Sequence, residues 1–268
     1  MKRNQRCLKL AVLAIAAFVL APITPADAQD EAVVFEANVM IPMRDGTKLA
    51  ANAFRPSGDG PFPTILSRTP YGKGGKNHGQ GRRYARQGYA MVIQDCRGRG
   101  DSKGLWDPFR YDVEDGFDTQ EWVGKQPWCN GKIGTAGGSY VGWTQWASAP
   151  EGSQYLKAMV PIVPFCNAYD NAYVGGAFQL ALMMDWGAAV GGARLPPDKT
   201  LEAFRFLPLD RFDDQLSQEV FYLEDWVKHP VDDDYWNQRG IGREAFDDVT
   251  VPVGCAPETF HNASAGCC

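Results

Sequence analysis

The sequence predicts an α/β protein. It should have a mostly parallel sheet, opened by an antiparallel hairpin, and a helical insertion over one edge. Three observations predict it. Short apolar runs alternate with helical patterns between residues 64 and 163, the spacing of strand–helix–strand units. Residues 89–94 are continuously apolar until Gln94, as in a strand buried on both faces of a parallel sheet. From residue 165 to about 248 the texture changes, with aromatics and methionines at helical spacing. At 268 residues the chain can form one large α/β domain or two smaller ones.

In order, residues 33–41 alternate loosely as a strand, Arg44-Asp45-Gly46-Thr47 is a turn, and residues 49–54 run back to complete a hairpin. Residues 56–63 form a Gly/Pro-rich loop before a short strand at 64–67. Thr69-Pro70-Tyr71-Gly72-Lys73 then leads into a polar loop containing His78. Residues 82–87 read as helix, capped by Gly88. After the buried strand comes a charged glycine loop at 95–104. An acidic-fronted helix follows at 112–123, with Phe117 and Trp122 available to pack inward. Asp112, Glu114 and Asp115 read as a solvated helix start that favours the helix dipole. A further buried strand spans 156–163. In the insertion Tyr169, Tyr173, Phe178, Leu182 and Trp186 mark a helical stripe, and residues 249–253 resume as strand.

The stretch from 130 to 149 carries chemistry. Residues 132–136 are a short strand, Gly137-Gly138-Ser139-Tyr140-Val141-Gly142 turns sharply, and residues 143–149 read as helix. A strand that breaks at a serine flanked by small residues and restarts as helix has the pattern of a nucleophile elbow, in which the crossing elements push the hydroxyl outward; the plainer reading is a glycine-rich strand-to-helix turn with an incidental serine. The usual pattern is Gly-x-Ser-x-Gly; here Val141 holds the last small position and the glycine falls one place later.

The N-terminus reads as an export signal. Lys2, Arg3, Arg6 and Lys9 precede an uncharged apolar run at 10–21, and Ala26-Asp27-Ala28 offers cleavage after Ala28. The run is shorter than the about 20 residues that span a bilayer, so the expected product is secreted or periplasmic, with no membrane attachment after cleavage. A net charge of −5 without a basic block gives no reason for a nucleic-acid partner. The six cysteines outside that segment (Cys96, Cys129, Cys166, Cys255, Cys267, Cys268) allow about 15 complete pairings, and the sequence chooses none. No Cys/His set has metal-ligand spacing, and no metal or cofactor is expected.

Four segments together resemble the CocE/NonD serine hydrolases, relatives of cocaine esterase, X-Pro dipeptidyl peptidases and α-amino-acid ester hydrolases. They are residues 43–49, residues 68–71, residues 94–104 and residues 126–142, and a fifth, residues 229–236, is similar to a stretch of the family's helical cap. The resemblance implies an α/β-hydrolase core at 29–164, a helical cap at 165–248 and a resumed core strand at 249–253. It also implies residue roles. Ser139 would attack the substrate carbonyl, the Tyr140 backbone N–H would donate to the oxyanion, and the Tyr71 hydroxyl would be the second donor. Asp170 would lie roughly where some relatives hold a substrate α-amino group. Arg97, Arg99 and Asp101 would knit their loop through arginine–backbone hydrogen bonds. The expected substrate is a small ester, an amide or a short peptide; no oligomeric state is implied.

A triad also needs a histidine and an acid to orient it. In relatives both follow the strand matching 249–253, ahead of a C-terminal β-sandwich. Here residues 254–268 depart from that pattern and read as an out-of-frame tail, so the core is expected to be incomplete and the sandwich absent. No triad acid or histidine is found: His78 reads as an exposed loop residue, His229 as a helix-end residue, and His261, near Glu258, belongs to the tail. The alternative expectation is therefore a truncated, non-catalytic remnant that retains the nucleophile and the oxyanion donors.

Overall fold

A computed structural model describes residues 33–165, 167–196 and 198–254. The expected signal segment at 1–28, Cys166 and the tail from residue 255, with Glu258 and His261, lie outside the described residues.

The hairpin pairs β1 (Val33–Pro42) antiparallel with β2 (Lys48–Pro56), with Ile41 opposite Leu49. Three parallel strands follow, β3 (Phe62–Thr69), β4 (Ala90–Asp95) and β5 (Cys129–Gly138), and β6 (Leu156–Ile162) closes the sheet. The order is β1-β2-β4-β3-β5-β6, with only the hairpin and the β2–β4 pair antiparallel. This is the mostly parallel sheet with an antiparallel opening that the sequence predicts. Helices α1 (Lys76–Arg86), α2 (Asp112–Gly124) and α3 (Tyr140–Ser148) make the crossovers. Gly88, at φ 89°, takes the left-handed turn that ends α1, which begins six residues earlier than expected and includes His78.

Leu49, Leu66, Val92, Ile133 and Val123 form one core, and Phe54, Ala85, Met91 and Ile93 another. All six residues of β4 are buried, in agreement with its apolar run.

The acidic opening of α2 is not solvated, contrary to expectation. Asp112 and Asp115 are 5% and 1% exposed. Their burial follows from two arginines delivered by other elements. Arg68, at the end of β3 and itself 3% exposed, donates to the Asp112 carbonyl at 2.9 Å and to Gln94 at 3.0 Å, and lies 3.4 Å from the Asp112 carboxylate. Arg97, from the loop after β4, grips Asp115 through two hydrogen bonds and reaches Asp45 at 2.6 Å and Thr47 at 2.7 Å. A carboxylate is buried only where such partners offset its desolvation. The burial still pushes the Asp115 carboxyl above its ordinary range despite Arg97. Phe117 turns out under the Arg44 guanidinium rather than inward, while Trp122 packs on the core.

The insertion is a cap of short pieces. It comprises α4 (Ala168–Ala172), a two-stranded ribbon of β7 (Tyr173–Val174) and β8 (Ala177–Phe178), a π turn at Ala181–Asp185, and α5 (Trp186–Val190). Beyond these lie α6 (Thr200–Ala203), α7 (Phe221–Lys228) and α8 (Asp234–Asn237), with a 3-10 turn at Leu209–Gln215 between α6 and α7 and another at Arg243–Asp248 after α8. The stripe from Tyr169 to Trp186 therefore crosses five elements, because Gly175 and Gly176, both at positive φ, turn the chain into a ribbon. The cap shares one aromatic core with the main domain, built around Phe109, Tyr140, Trp143, Trp226 and Trp236. Residues 249–253 form a single parallel bridge, Val253 to Met159, rather than a full strand.

Candidate active site

Ser139 stands between β5 and α3 with φ 56° and ψ −127°, a conformation costly for any residue with a side chain. The neighbouring glycines explain how it is held. A Cβ on Gly137 (φ +153°) would lie 2.8 Å from Val141 Cβ and closer still to its Cγ1, so only glycine admits Val141 there. That contact explains the displaced glycine of the motif. A side chain is tolerated at 141 because Gly137 makes room, while Gly142 sits where a Cβ would come 3.3 Å from Ile162 O and 3.2 Å from Pro164 Cβ. The Ser139 N–H donates to Ile162 O at 2.9 Å, and the N–H groups of Gly142 and Trp143 return to Ser139 O at 2.8 and 3.0 Å. Ser139 itself is exposed while Tyr140 is 1% exposed, so the turn presents the serine and buries its successor.

Tyr140 is anchored at its far end. Its phenol donates to Asp112 Oδ2 at 2.5 Å and accepts from the Phe109 N–H at 2.8 Å. Burial, reinforced by the Asp112 charge, pushes this phenol well above its usual range, so it stays a donor. Phe109 takes φ 71° to reach that position, and its ring stacks on Tyr140 with centroids 5.3 Å apart. Tyr140 is also the first residue of α3, where backbone N–H groups lack intrahelical acceptors. With its side chain fixed, its N–H is held at the exposed end of the helix.

Tyr71 lies two residues beyond the end of β3, and Ser139 one residue beyond the end of β5; the two strands are parallel neighbours. Both residues therefore occupy the same carboxyl edge of the sheet, where open α/β sheets bind ligands. Tyr71 is 52% exposed, and its Oη accepts the indole N–H of Trp186 at 3.1 Å. The same indole stacks on the Tyr140 ring, with centroids 5.4 Å apart. One cap side chain thus touches both tyrosines.

The remaining sequence candidates fall elsewhere. Asp170 is half-buried in the first turn of α4, with its N–H capped by Asn167 Oδ1 at 3.2 Å. Arg99 does bind backbone, through Pro70 O at 2.9 Å and Val190 O, whereas Arg97 binds side chains and Asp101 pairs with Lys73. His78, expected to be exposed, is half-buried; its Nε2 lies 3.0 Å from Asn52 Nδ2 and its ring is edge-on to Phe35 and Phe54. His229 ends α7 as expected, pairing with Asp233 at 2.7 Å and stacking on Tyr235. Among the described residues neither histidine bonds Ser139, and no group of three or more His, Cys, Asp or Glu side chains could hold a metal. Trp186, Phe109 and Asp112 were not singled out for the site by the sequence, since nothing in their local pattern shows what they reach across the fold.

Comparison with known proteins points one way. Residues 45–256 match the description of the X-Pro dipeptidyl-peptidase (S15) family. The chain is 40% identical over 161 residues to cocaine esterase of Rhodococcus sp. (strain MB1 Bresler), covering 58% of this chain and 28% of that protein. A CocE/NonD family hydrolase from Staphylococcus aureus superposes with TM-score 0.65 at 28% identity, covering 82% of this chain and 40% of the other. An α-amino acid ester hydrolase gives TM-score 0.66 at 25% identity, covering 87% and 45%. The chain thus spans less than half the length of each of these relatives.

Proposed function

This chain belongs to the X-Pro dipeptidyl-peptidase (S15) family of serine hydrolases, of esterase or peptidase type, and from that premise we propose that it hydrolyses small esters or amides through an acyl-enzyme on Ser139. Ser139 Oγ attacks the carbonyl carbon, and the negative charge on the carbonyl oxygen is received by the Tyr140 N–H and the Tyr71 O–H. Collapse of the tetrahedral adduct expels the alcohol or amine, and water then releases the acid. The observation that carries the reading is the strained, exposed turn at Ser139 with both tyrosines gathered on one indole. Asp170 is proposed to meet the amino group of an amino-acid substrate, at the foot of the cap. Export after cleavage at Ala28 is part of the same proposal, and would give a mature chain beginning at Gln29.

A base must take the serine proton. His78 and His229 are engaged by Asn52 and Asp233, which favours a second reading in which this chain keeps the nucleophile and oxyanion donors without turnover. A fluorophosphonate decides between them, since it modifies only an activated serine. Rapid labelling lost in Ser139→Ala supports the hydrolase, and absence of labelling supports the second reading. Labelling that survives in Ser139→Ala refutes the choice of nucleophile.

A further inference from the structure

Trp186 is none of the groups assigned to substrate, yet it joins the two that receive the oxyanion. Its N–H donates to Tyr71 Oη at 3.1 Å, and its ring lies nearly parallel to that of Tyr140, with planes 23° apart. It is held from behind by Phe109, at 5.8 Å and 24°, and by Trp226, at 6.3 Å and 13°. The π turn at Ala181–Asp185 runs directly into it, and such turns re-aim the side chains around them and recur at functional sites. The far end of the same short helix is tied to the same loop. Arg99 bridges the carbonyl of Pro70, next to Tyr71, and the carbonyl of Val190, the last residue of α5.

From this geometry we infer that Trp186 is a positioning residue for the oxyanion site, acting through Tyr71. The inference rests on the oxyanion reading above. A phenol that is 52% exposed, with its backbone N–H tied to Thr69 Oγ1 at 3.1 Å, has freedom to turn its O–H toward water. The indole N–H occupies one lone pair of the phenol oxygen, which leaves the phenol proton free to donate elsewhere. A donor on that oxygen also polarises its O–H bond and makes it a stronger donor. Stacking on Tyr140 sets where the phenol is held relative to the start of α3. The cap therefore supplies the lock on one oxyanion donor, and the main domain supplies the other donor.

The test uses the full chain with Trp186→Phe, which keeps an aromatic ring but removes the N–H, together with Tyr71→Phe and the double variant. The first readout is the second-order rate of fluorophosphonate labelling at Ser139. Trp186→Phe should slow it about twofold to tenfold, the size of one net hydrogen bond, and should slow it no further in the Tyr71→Phe background. An undiminished effect of Trp186→Phe in that background, or no effect in the wild-type background, overturns the inference. The second readout is the Trp186 indole N–H resonance, which should shift and exchange faster with solvent in Tyr71→Phe. An unchanged resonance overturns the inference whatever the labelling shows. If the wild-type chain does not label, it is the hydrolase reading of Ser139 that fails, and the indole resonance alone then decides the contact.

Discussion

Replacing Gly137 by alanine tests the account of the elbow directly. A Cβ at this position would sit 2.8 Å from Val141 Cβ and nearer to Cγ1, well inside ordinary van der Waals contact, on a backbone at φ +153°. Overpacking of this kind costs about 1–3 kcal/mol, and a side chain in a glycine-favoured conformation adds about 1–3 kcal/mol. A total of about 4 kcal/mol, at a urea slope of about 2 kcal/mol per M, lowers the unfolding midpoint by about 2 M. The two shares separate in a Val141→Gly background, where the Cβ and the Cγ1 that collide are both gone. There Gly137→Ala should retain only the backbone share, roughly half the loss, so that the cycle shows coupling of about 1–3 kcal/mol. The assay is urea unfolding followed by tryptophan fluorescence, with fluorophosphonate labelling in parallel. A wild-type midpoint for Gly137→Ala, or the same loss with and without the Val141 side chain, would refute the steric reasoning.

Three further outcomes follow from the structure. Ser139→Gly should raise stability by about 1 kcal/mol, because it releases strain of about 1–3 kcal/mol and returns about 0.4–1 kcal/mol through the looser unfolded chain; a lower urea midpoint than wild type would contradict the strain. Asp112→Ala should cost about 3–5 kcal/mol, since it strands the buried Arg68 guanidinium and the Tyr140 hydroxyl together; thermal or urea unfolding measures this, and a loss below about 1 kcal/mol would show that water replaces the carboxylate. The hydrogen bond from Arg97 holds the Asp45 carboxyl down at about 2, below its unfolded value, so the stability it supplies is complete above about pH 4 and fades as pH falls toward 2. Asp45 is half-exposed and its share is modest, but the gap between wild type and Asp45→Asn in urea unfolding should narrow from pH 5 to pH 3; a gap that widens on acidification would reverse the sign of the argument.

What could be read in the sequence was whatever local chemistry decides. The run that becomes β4 is apolar because both faces of that strand are covered, and the glycines around Ser139 are needed by the turn itself. The start of α2 was misread because the burial of Asp112 and Asp115 depends on Arg68 and Arg97, which are brought from the ends of other strands. His78 was misread for a similar reason: the hairpin supplies the aromatic rings and the Asn52 amide that enclose it. The cap was legible as aromatic-rich but not in its pieces, because a π turn, a two-residue ribbon and helices of four or five residues fall below any periodicity a window can register. Tyr71 and Tyr140 were singled out from the sequence, while the indole that touches both, 115 residues from Tyr71, was not.

The near-parallel packing of Trp186 against Trp226 has a spectroscopic consequence. Indoles 6.3 Å apart couple their excited states, so Trp186→Phe should change the circular-dichroism spectrum by more than the loss of one isolated indole. Because the two rings stand on α5 and α7 of the cap, and one of them also meets Tyr71, that signal would report how the cap's own pieces are packed beside Tyr71, without any added dye.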